Sequence, residues 1–274
     1  MKPVKKQARA PKTIPFGPEA FAPLESTEVR WLGNAGMLLN SRGTCLMVDP
    51  LLEGFDLPLL ADPPITSREV PRLDAVLITH SDNDHYSLPT CRGLAPACGE
   101  YHGTGYTAEL MSREALPAVG HGIGESFRVG DIRVTLTPAD HTWQADAGIH
   151  DRIYRPEDCC GFWMETPDGA FWAPGDSRLM DAHLHMPSPD AILFDFSDDS
   201  WHIGLENAIR LGNTYPRAAL LLSHWGSVDA PDMKPFNADP ADLDGRLENP
   251  GRIHILAPGE PFPLRRTSFP PVME

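Results

Sequence analysis

Short apolar runs that end in polar clusters recur along the chain. The run at 29–32 passes into Gly33-Asn34-Ala35-Gly36, 45–48 into Asp49-Pro50, and 75–78 into Thr79-His80. Residues 132–136 alternate with period two and lead through Pro138 to Asp140-His141. The run at 171–173 ends at Pro174-Gly175-Asp176, 191–194 at Asp195, and 218–222 at Ser223-His224. Apolar runs of this length bounded by Gly, Pro and Asp predict strands, some buried on both faces. Helical patterns are fewer. Residues 107–115 predict one helix, stopped by Pro117. Residues 202–211 predict another, capped by Asp199 or Ser200 and ended by Gly212 as the residue after the last turn. Residues 51–72 and 229–250 are Pro-rich and predict loop with a short helix. The order of elements predicts an α/β fold with two packed sheets and helices outside. No repeat of fixed period is visible.

The chemistry sits where the apolar runs stop. His80, His141, Asp176 and His224 each follow a predicted strand closely, so a rigid scaffold would hold them toward one cleft. The densest segment is Thr79-His80-Ser81-Asp82-Asn83-Asp84-His85-Tyr86. Alternate residues point apart, so His80 and Asp82 can face one ion while Asp84 and His85 face another. His141, a bridging Asp176 and His224 would complete two coordination spheres. Imidazole and carboxylate donors suit Zn²⁺, Mn²⁺ or Fe. A metal pair can polarise an ester or phosphoryl oxygen and acidify water.

Composition narrows the picture. The chain carries 23 Lys+Arg against 38 Asp+Glu, a net charge of −15, which disfavours nucleic acid as a partner. No stretch is long and apolar enough to span a membrane. Five cysteines, Cys45, Cys91, Cys98, Cys159 and Cys160, make a poor disulfide framework and predict free thiols in a reducing, cytoplasmic setting. The basic, Pro-rich N-terminus has no apolar core of a secretory signal, and residues 1–25 read as a flexible or draped tail.

The loop His80-x-Asp82-x-Asp84-His85, followed by His141, Asp176 and His224, resembles the metallo-β-lactamase superfamily. The intervals of 56, 35 and 48 residues (85 to 141, 141 to 176, 176 to 224) are similar to that family's order. Trp31-Leu32-Gly33-Asn34-Ala35-Gly36, Val48-Asp49-Pro50, Gly175-Asp176-Ser177, His224-Trp225-Gly226 and Leu256-Ala257-Pro258-Gly259-Glu260 look like the subgroup of ascorbate-6-phosphate lactonase and N-acyl phosphatidylethanolamine phospholipase D. The resemblance covers roughly residues 26 to 265. It implies a four-layer αββα sandwich as a single domain over 26–274. It implies two divalent ions, Zn or Mn with Fe as a further choice, held by His80, Asp82, Asp84, His85, His141, Asp176 and His224. It implies a hydrolase that uses a metal-bound hydroxide on a small ester, lactone or phosphoester. Asp84 would shuttle the proton, and His202 would donate to a substrate oxyanion. A phosphodiesterase or nuclease-type hydrolase is one alternative, redox chemistry at a di-iron site another, and a non-catalytic metal-binding or interaction protein with a decayed site a third. A small-molecule substrate is expected, and a homo-oligomer is left open. Two positions depart from the family pattern. Asp82 replaces the loop's second His, as in the related domain of DNA-uptake channel proteins, and makes the first site harder. Asn34 stands where relatives often carry His, so that residue's role is changed or lost.

Several residues have two readings. Asp49 either orients the His80 loop or makes an Asp-Pro turn. Asp140 is either an acceptor behind His141 or a strand-end acid. Tyr86 is expected to pack. His183-x-His185 reads as a helix-to-loop exit, and His102, His121, His150 and His254 as surface or structural.

Overall fold

The computed structural model describes residues 7–141 and 153–267. Two seven-stranded mixed sheets face each other. The first contains β1 (Glu28–Gly33), β2 (Gly36–Ser41), β3 (Thr44–Val48), β4 (Ala75–Leu77), β5 (Tyr101–Thr104) and β6 (Ala118–His121) in sequence order, with β14 (Pro261–Pro263) added beside β1. The second contains β7 (Ser126–Val129), β8 (Ile132–Pro138), β9 (Cys160–Thr166), β10 (Gly169–Ala173), β11 (Ala191–Phe194), β12 (Ala219–Leu222) and β13 (Ile253–His254), again in order. In each sheet an antiparallel meander turns into parallel strands. The change comes at β3–β4 in the first sheet and at β10–β11 in the second. The two halves therefore share one topology without sharing a sequence period.

Period-two alternation explains the layers. In β3, Leu46 and Val48 point into the cluster between the sheets, while Cys45 and Met47 point to the outer face. The inner cluster joins Trp31, Met37 and Leu39 to Val134, Phe162, Phe171 and Leu221. The outer face of the first sheet is covered by α1 (Leu88–Leu94) and α2 (Gly105–Arg113) through Cys91, Leu94 and Met111. The outer face of the second is covered by α3 (Leu205–Thr214) through Ala208 and Leu211. The result is helix, sheet, sheet, helix, the expected four layers. All seven predicted strands are present within a residue or two of the predicted runs.

The predicted 202–211 helix needs correction. The helix starts at Leu205, and its N-cap is Gly204, with no side-chain cap. Asp199 Oδ1 instead accepts the backbone N–H groups of Trp201 (2.8 Å) and His202 (3.0 Å). That turn leaves His202 buried in the loop ahead of the helix. Gly212 lies inside the helix, which runs on to Thr214, and a Cβ there would come within 2.6 Å of Leu247, so its smallness serves packing rather than termination.

The described part of the N-terminal segment is draped over the domain. Ala10 N–H donates to Gly226 O (3.0 Å), Ile14 N–H to Pro258 O (2.8 Å) and Phe16 N–H to Pro64 O (3.2 Å). The Gln7 amide donates to Val228 O and Phe236 O and accepts from Ala230 N–H. The two Pro-rich loops meet each other: Leu60 N–H donates to Ser227 O, and Asp229 N–H to Pro58 O, both at 2.8 Å. All five cysteines are free and buried. No helix among the described residues is long and apolar enough to cross a membrane.

Candidate metal centre

Six strands deliver acids and histidines from their C-terminal ends to one place, the position where mixed and parallel sheets expose ligand sites. Asp49 follows β3, His80 follows β4, His141 follows β8, Asp176 follows β10, Asp195 follows β11 and His224 follows β12. The loop after β4 folds back on itself, with His85 and Tyr86 N–H both donating to Asp82 O (3.0 and 2.7 Å). Ser87 then caps α1 by accepting Thr90 N–H. This turn separates the loop's candidate ligands. His80, Asp82 and His141 form one convergent group, and Asp84, His85, Asp176 and His224 form another. A third group, His141, Asp176 and His202, joins them, so every residue predicted as a ligand lies in one continuous cluster, and His202 lies in it too.

The hydrogen bonds behind the rings fix their tautomers. His141 Nδ1 faces Trp201 O (3.2 Å) and His224 Nδ1 faces Pro235 O (3.0 Å); a carbonyl only accepts, so both Nδ1 atoms carry the proton. Thr79 donates its hydroxyl to Asp49 Oδ2 (2.6 Å) and therefore accepts from His80 Nδ1 (2.9 Å). His85 Nδ1 donates to the same Asp49 oxygen (2.9 Å), and His202 Nδ1 to Asp195 Oδ2 (3.1 Å). All five imidazoles thus turn Nε2 inward. Metal-ligating histidines are held in this manner, with the outer nitrogen donating to a carboxylate or carbonyl. Asp49 resolves to the orienting role rather than a simple turn.

The inward atoms crowd together. Asp176 Oδ2 lies 3.1 Å from His85 Nε2, 3.0 Å from His202 Nε2 and 3.5 Å from His224 Nε2. Asp84 Oδ2 lies 3.3 Å from His224 Nε2 and 3.6 Å from His85 Nε2. Asp82 Oδ2 lies 3.1 Å from His141 Nε2 and 3.4 Å from His80 Nε2. Nε2 of His80, His85 and His224 is buried without a hydrogen-bond partner. Leaving such atoms unsatisfied costs about 1–3 kcal/mol each. A set of imidazole nitrogens and carboxylate oxygens aimed at common points is what divalent cations require, so the residues present fit such ions.

The electrostatics agree. Burial works against the charge on Asp176, yet His202, His224 and His85 hold its carboxyl well below the usual range. Burial likewise opposes ionisation of Asp82, but His80 and His141 keep it low. Burial disfavours His85 and His202 as cations, and the surrounding carboxylates, Asp176 foremost, raise both well above the ordinary value. His141 goes the other way, because burial dominates. The cluster is a pocket of negative charge that draws in positive charge, whether as protons or as metal.

Backbone strain concentrates here. Among the described residues six non-glycine residues have positive φ, and three of them belong to the site: Asn34 (48°), Asp49 (42°) and His224 (60°). Such conformations cost of order 1–3 kcal/mol each and persist where surrounding contacts enforce them. For His224 the contact is its N–H donating to Asn34 O at 2.8 Å. Asn34 also donates Nδ2 to the backbone oxygen and Oδ2 of Asp84, both at 3.2 Å. It therefore ties together candidate ligands from two loops rather than lining an open surface.

A model of the beta-lactamase superfamily domain matches residues 44–225. The chain belongs to the β-lactamase superfamily. It is 34% identical over 155 residues to a UPF0173 metal-dependent hydrolase of Ruegeria sp. (strain TM1040), a match that covers 55% of this chain and 63% of that protein. It is 27% identical over 249 residues to a UPF0173 metal-dependent hydrolase of Pyrobaculum neutrophilum, covering 86% of this chain and 100% of the relative. Among solved structures, a possible metal-dependent hydrolase from Veillonella parvula superposes with a TM-score of 0.71 at 18% identity, covering 87% of this chain and 99% of that one. The superfamily fold read from the sequence is thereby established.

The other singled-out residues lie apart from the centre. His183 is buried, with Nε2 on Pro138 O (2.8 Å), and His185 is exposed. His102 stacks with His121 and Phe127. Tyr86 packs against the outer core of the first sheet. His254 lies edge-on to Phe262 at 4.7 Å. His150 lies outside the described residues. Asp140 is 4.0 Å from Arg178 and does not orient His141, whose Nδ1 goes to Trp201 O. Two residues escaped the sequence reading. Asp195 ends an apolar run as Asp49 does, so the same strand-end rule would have found it. Tyr154, which donates to Asp82 Oδ1 at 3.0 Å, carries no local signal.

Proposed function

We propose that this chain is a metal-dependent hydrolase holding two divalent cations, one among His80, Asp82 and His141, the other among Asp84, His85 and His224, with Asp176 reaching both. The observation that carries this reading is the set of buried Nε2 atoms of His80, His85 and His224, which lack hydrogen-bond partners and converge with three carboxylates. The relatives named metal-dependent hydrolases support it. Divalent ions there would acidify a water and polarise the substrate oxygen that gains charge. Zn²⁺ and Mn²⁺ both suit the donors, and Asp82 in place of an imidazole tips the first site toward Mn²⁺ or Fe²⁺.

The chain's own groups supply the proton handling. Asp84 presents Oδ2 to the centre and is steadied there by the Asn34 amide, in position to take and return a proton. His202 is held by Asp195 with Nε2 toward Asp176, and its proton can stabilise or neutralise an oxygen that gains charge. Burial of the cluster excludes bulk water and strengthens each of these interactions. The substrate class is a small ester, lactone or phosphoester; the charge of −15 weighs against long polyanions.

Elemental analysis of protein purified without chelators should find two equivalents of divalent metal. A panel of lactones, esters and phosphodiesters, run with Zn²⁺ and with Mn²⁺, identifies the bond cleaved. On the best substrate, Asp84→Asn or His85→Ala should lower kcat by about 10²–10⁴-fold with an unchanged far-UV circular dichroism spectrum. Turnover retained in both variants would rule the mechanism out.

A further inference from the structure

The loop carboxylate Asp82 differs from an imidazole in one chemical respect that matters to an ion. An imidazole turned by its Nδ1–H offers a single donor atom in a single direction. A carboxylate offers two oxygens and can chelate with both, bridge, or swing between partners. A site that accepts Asp82 therefore needs something to choose one oxygen.

The structure contains such a group. The Tyr154 hydroxyl donates to Asp82 Oδ1 at 3.0 Å, while Oδ2 faces His141 Nε2 at 3.1 Å and His80 Nε2 at 3.4 Å. The two oxygens have separate jobs. The phenol has one proton, and an ionised carboxylate only accepts, so that proton goes to Asp82. The Ser81 hydroxyl bonds the phenol oxygen in turn. Tyr154 is fixed independently of the centre. It is buried with Ala139 and Cys159, which flank β8 and β9, and its ring meets Tyr106 edge-on at 6.0 Å. Its ring is thus held by residues flanking the second sheet and by Tyr106 of α2, whereas Asp82 comes from the loop after β4.

We propose that Tyr154 is a positioning residue that restricts Asp82 to one coordinating oxygen, Oδ2, and so fits the carboxylate to the ion site shared with His80 and His141. This rests on the two-metal reading above. Its consequence is that the two sites become alike. Each has two imidazoles and one carboxylate oxygen, with Asp176 shared. Two histidines and one carboxylate with open positions form a donor set suited to Fe²⁺ and Mn²⁺.

The test compares four full-length proteins: wild type, Tyr154→Phe, Asp82→His, and the double variant. Phe keeps the ring and its packing and removes only the hydroxyl. Each is titrated with Mn²⁺, with bound metal counted by elemental analysis and the spin state followed by electron paramagnetic resonance. Tyr154→Phe should bind one of the two ions about 10–100-fold more weakly, the usual effect of removing a group that orients a ligand. The coupled-pair signal should give way to that of an isolated ion at equal metal concentration. In the Asp82→His background the same removal should leave affinity within twofold, because an imidazole has no second oxygen to restrain. Two ions bound by Tyr154→Phe with wild-type affinity and a coupled-pair signal would overturn the proposal. So would an equal loss in both backgrounds, which would mark a packing role. A wild-type protein that takes up no divalent ion would overturn the metal centre itself, a separate outcome.

Discussion

Asp49 shows how much one side chain organises. Its Oδ1 accepts Thr79 N–H at 2.8 Å, and its Oδ2 accepts both the Thr79 hydroxyl and His85 Nδ1. Through Thr79 it also sets His80. A single carboxylate thus orients one imidazole in each of the two convergent groups, with its own backbone at φ 42°. Asp49→Asn keeps the size but replaces one acceptor by a donor, so either Thr79 or His85 loses its partner. Metal affinity should fall about 10–100-fold, measured by competition with a chromophoric chelator, with little change in far-UV circular dichroism. At this scale the sequence was most legible for the ligands themselves, because His and Asp at the ends of apolar runs are chemically conspicuous. It was least legible for residues whose meaning comes only from a distant partner. Tyr154 lies 72 positions from Asp82, and no spacing rule links them.

Seven of the fourteen strands were legible because each is an apolar run bounded by Gly, Pro or Asp; the edge strands β6, β7, β13 and β14 and the interior β2, β5 and β9 did not stand out by that form. The helix after Asp199 was misjudged because Asp199 closes a local turn at Trp201 and His202 ahead of the helix, and Gly212 serves packing against Leu247 instead of ending it. The elements also depend on close approach at their ends. Gly175, between β10 and Asp176, has φ 69°, and a Cβ there would lie 2.6 Å from Cys160 O and 3.1 Å from Thr79 Cβ. Gly175→Ala forces both a strained backbone and a shift of Asp176 away from the loop after β4. Urea unfolding of this variant should show a loss of about 1–3 kcal/mol. Bound metal should fall in parallel, since Asp176 converges with His85 and His224 and also with His141.

At the scale of the molecule the centre is an electrostatic problem with two solutions. Without metal, the raised values of His85 and His202 mean that protons on these rings balance the carboxylates. That contribution to stability is complete below the unfolded-state His value, near 6.5, and is lost as pH rises through the higher folded-state values. Metal supplies the same balance without protons. The fall in Tm caused by a chelator should therefore be small near pH 6 and grow toward pH 9, followed by thermal denaturation at fixed ionic strength. A chelator effect that shrinks as pH rises would contradict this account. Two packed sheets with helices outside were legible from the order of elements, and the four-layer arrangement from the resemblance to the superfamily. The path of Gln7, Ala10, Ile14 and Phe16 over the loops was not fully so, because an extended strap held by backbone hydrogen bonds leaves no periodic pattern.

The shared topology of the two halves gives the ions a role beyond chemistry. The half that ends at β6 contributes Asp49 and the loop from His80 to His85; the half that begins at β7 contributes His141, Asp176, Asp195, His202 and His224. With five free cysteines among the described residues, no disulfide joins them. Bound cations would act as a clasp across that seam. Whatever binds the native state alone withdraws chain from the unfolded pool that proteases consume. Metal supply would then govern how long each molecule survives as well as how fast it turns over.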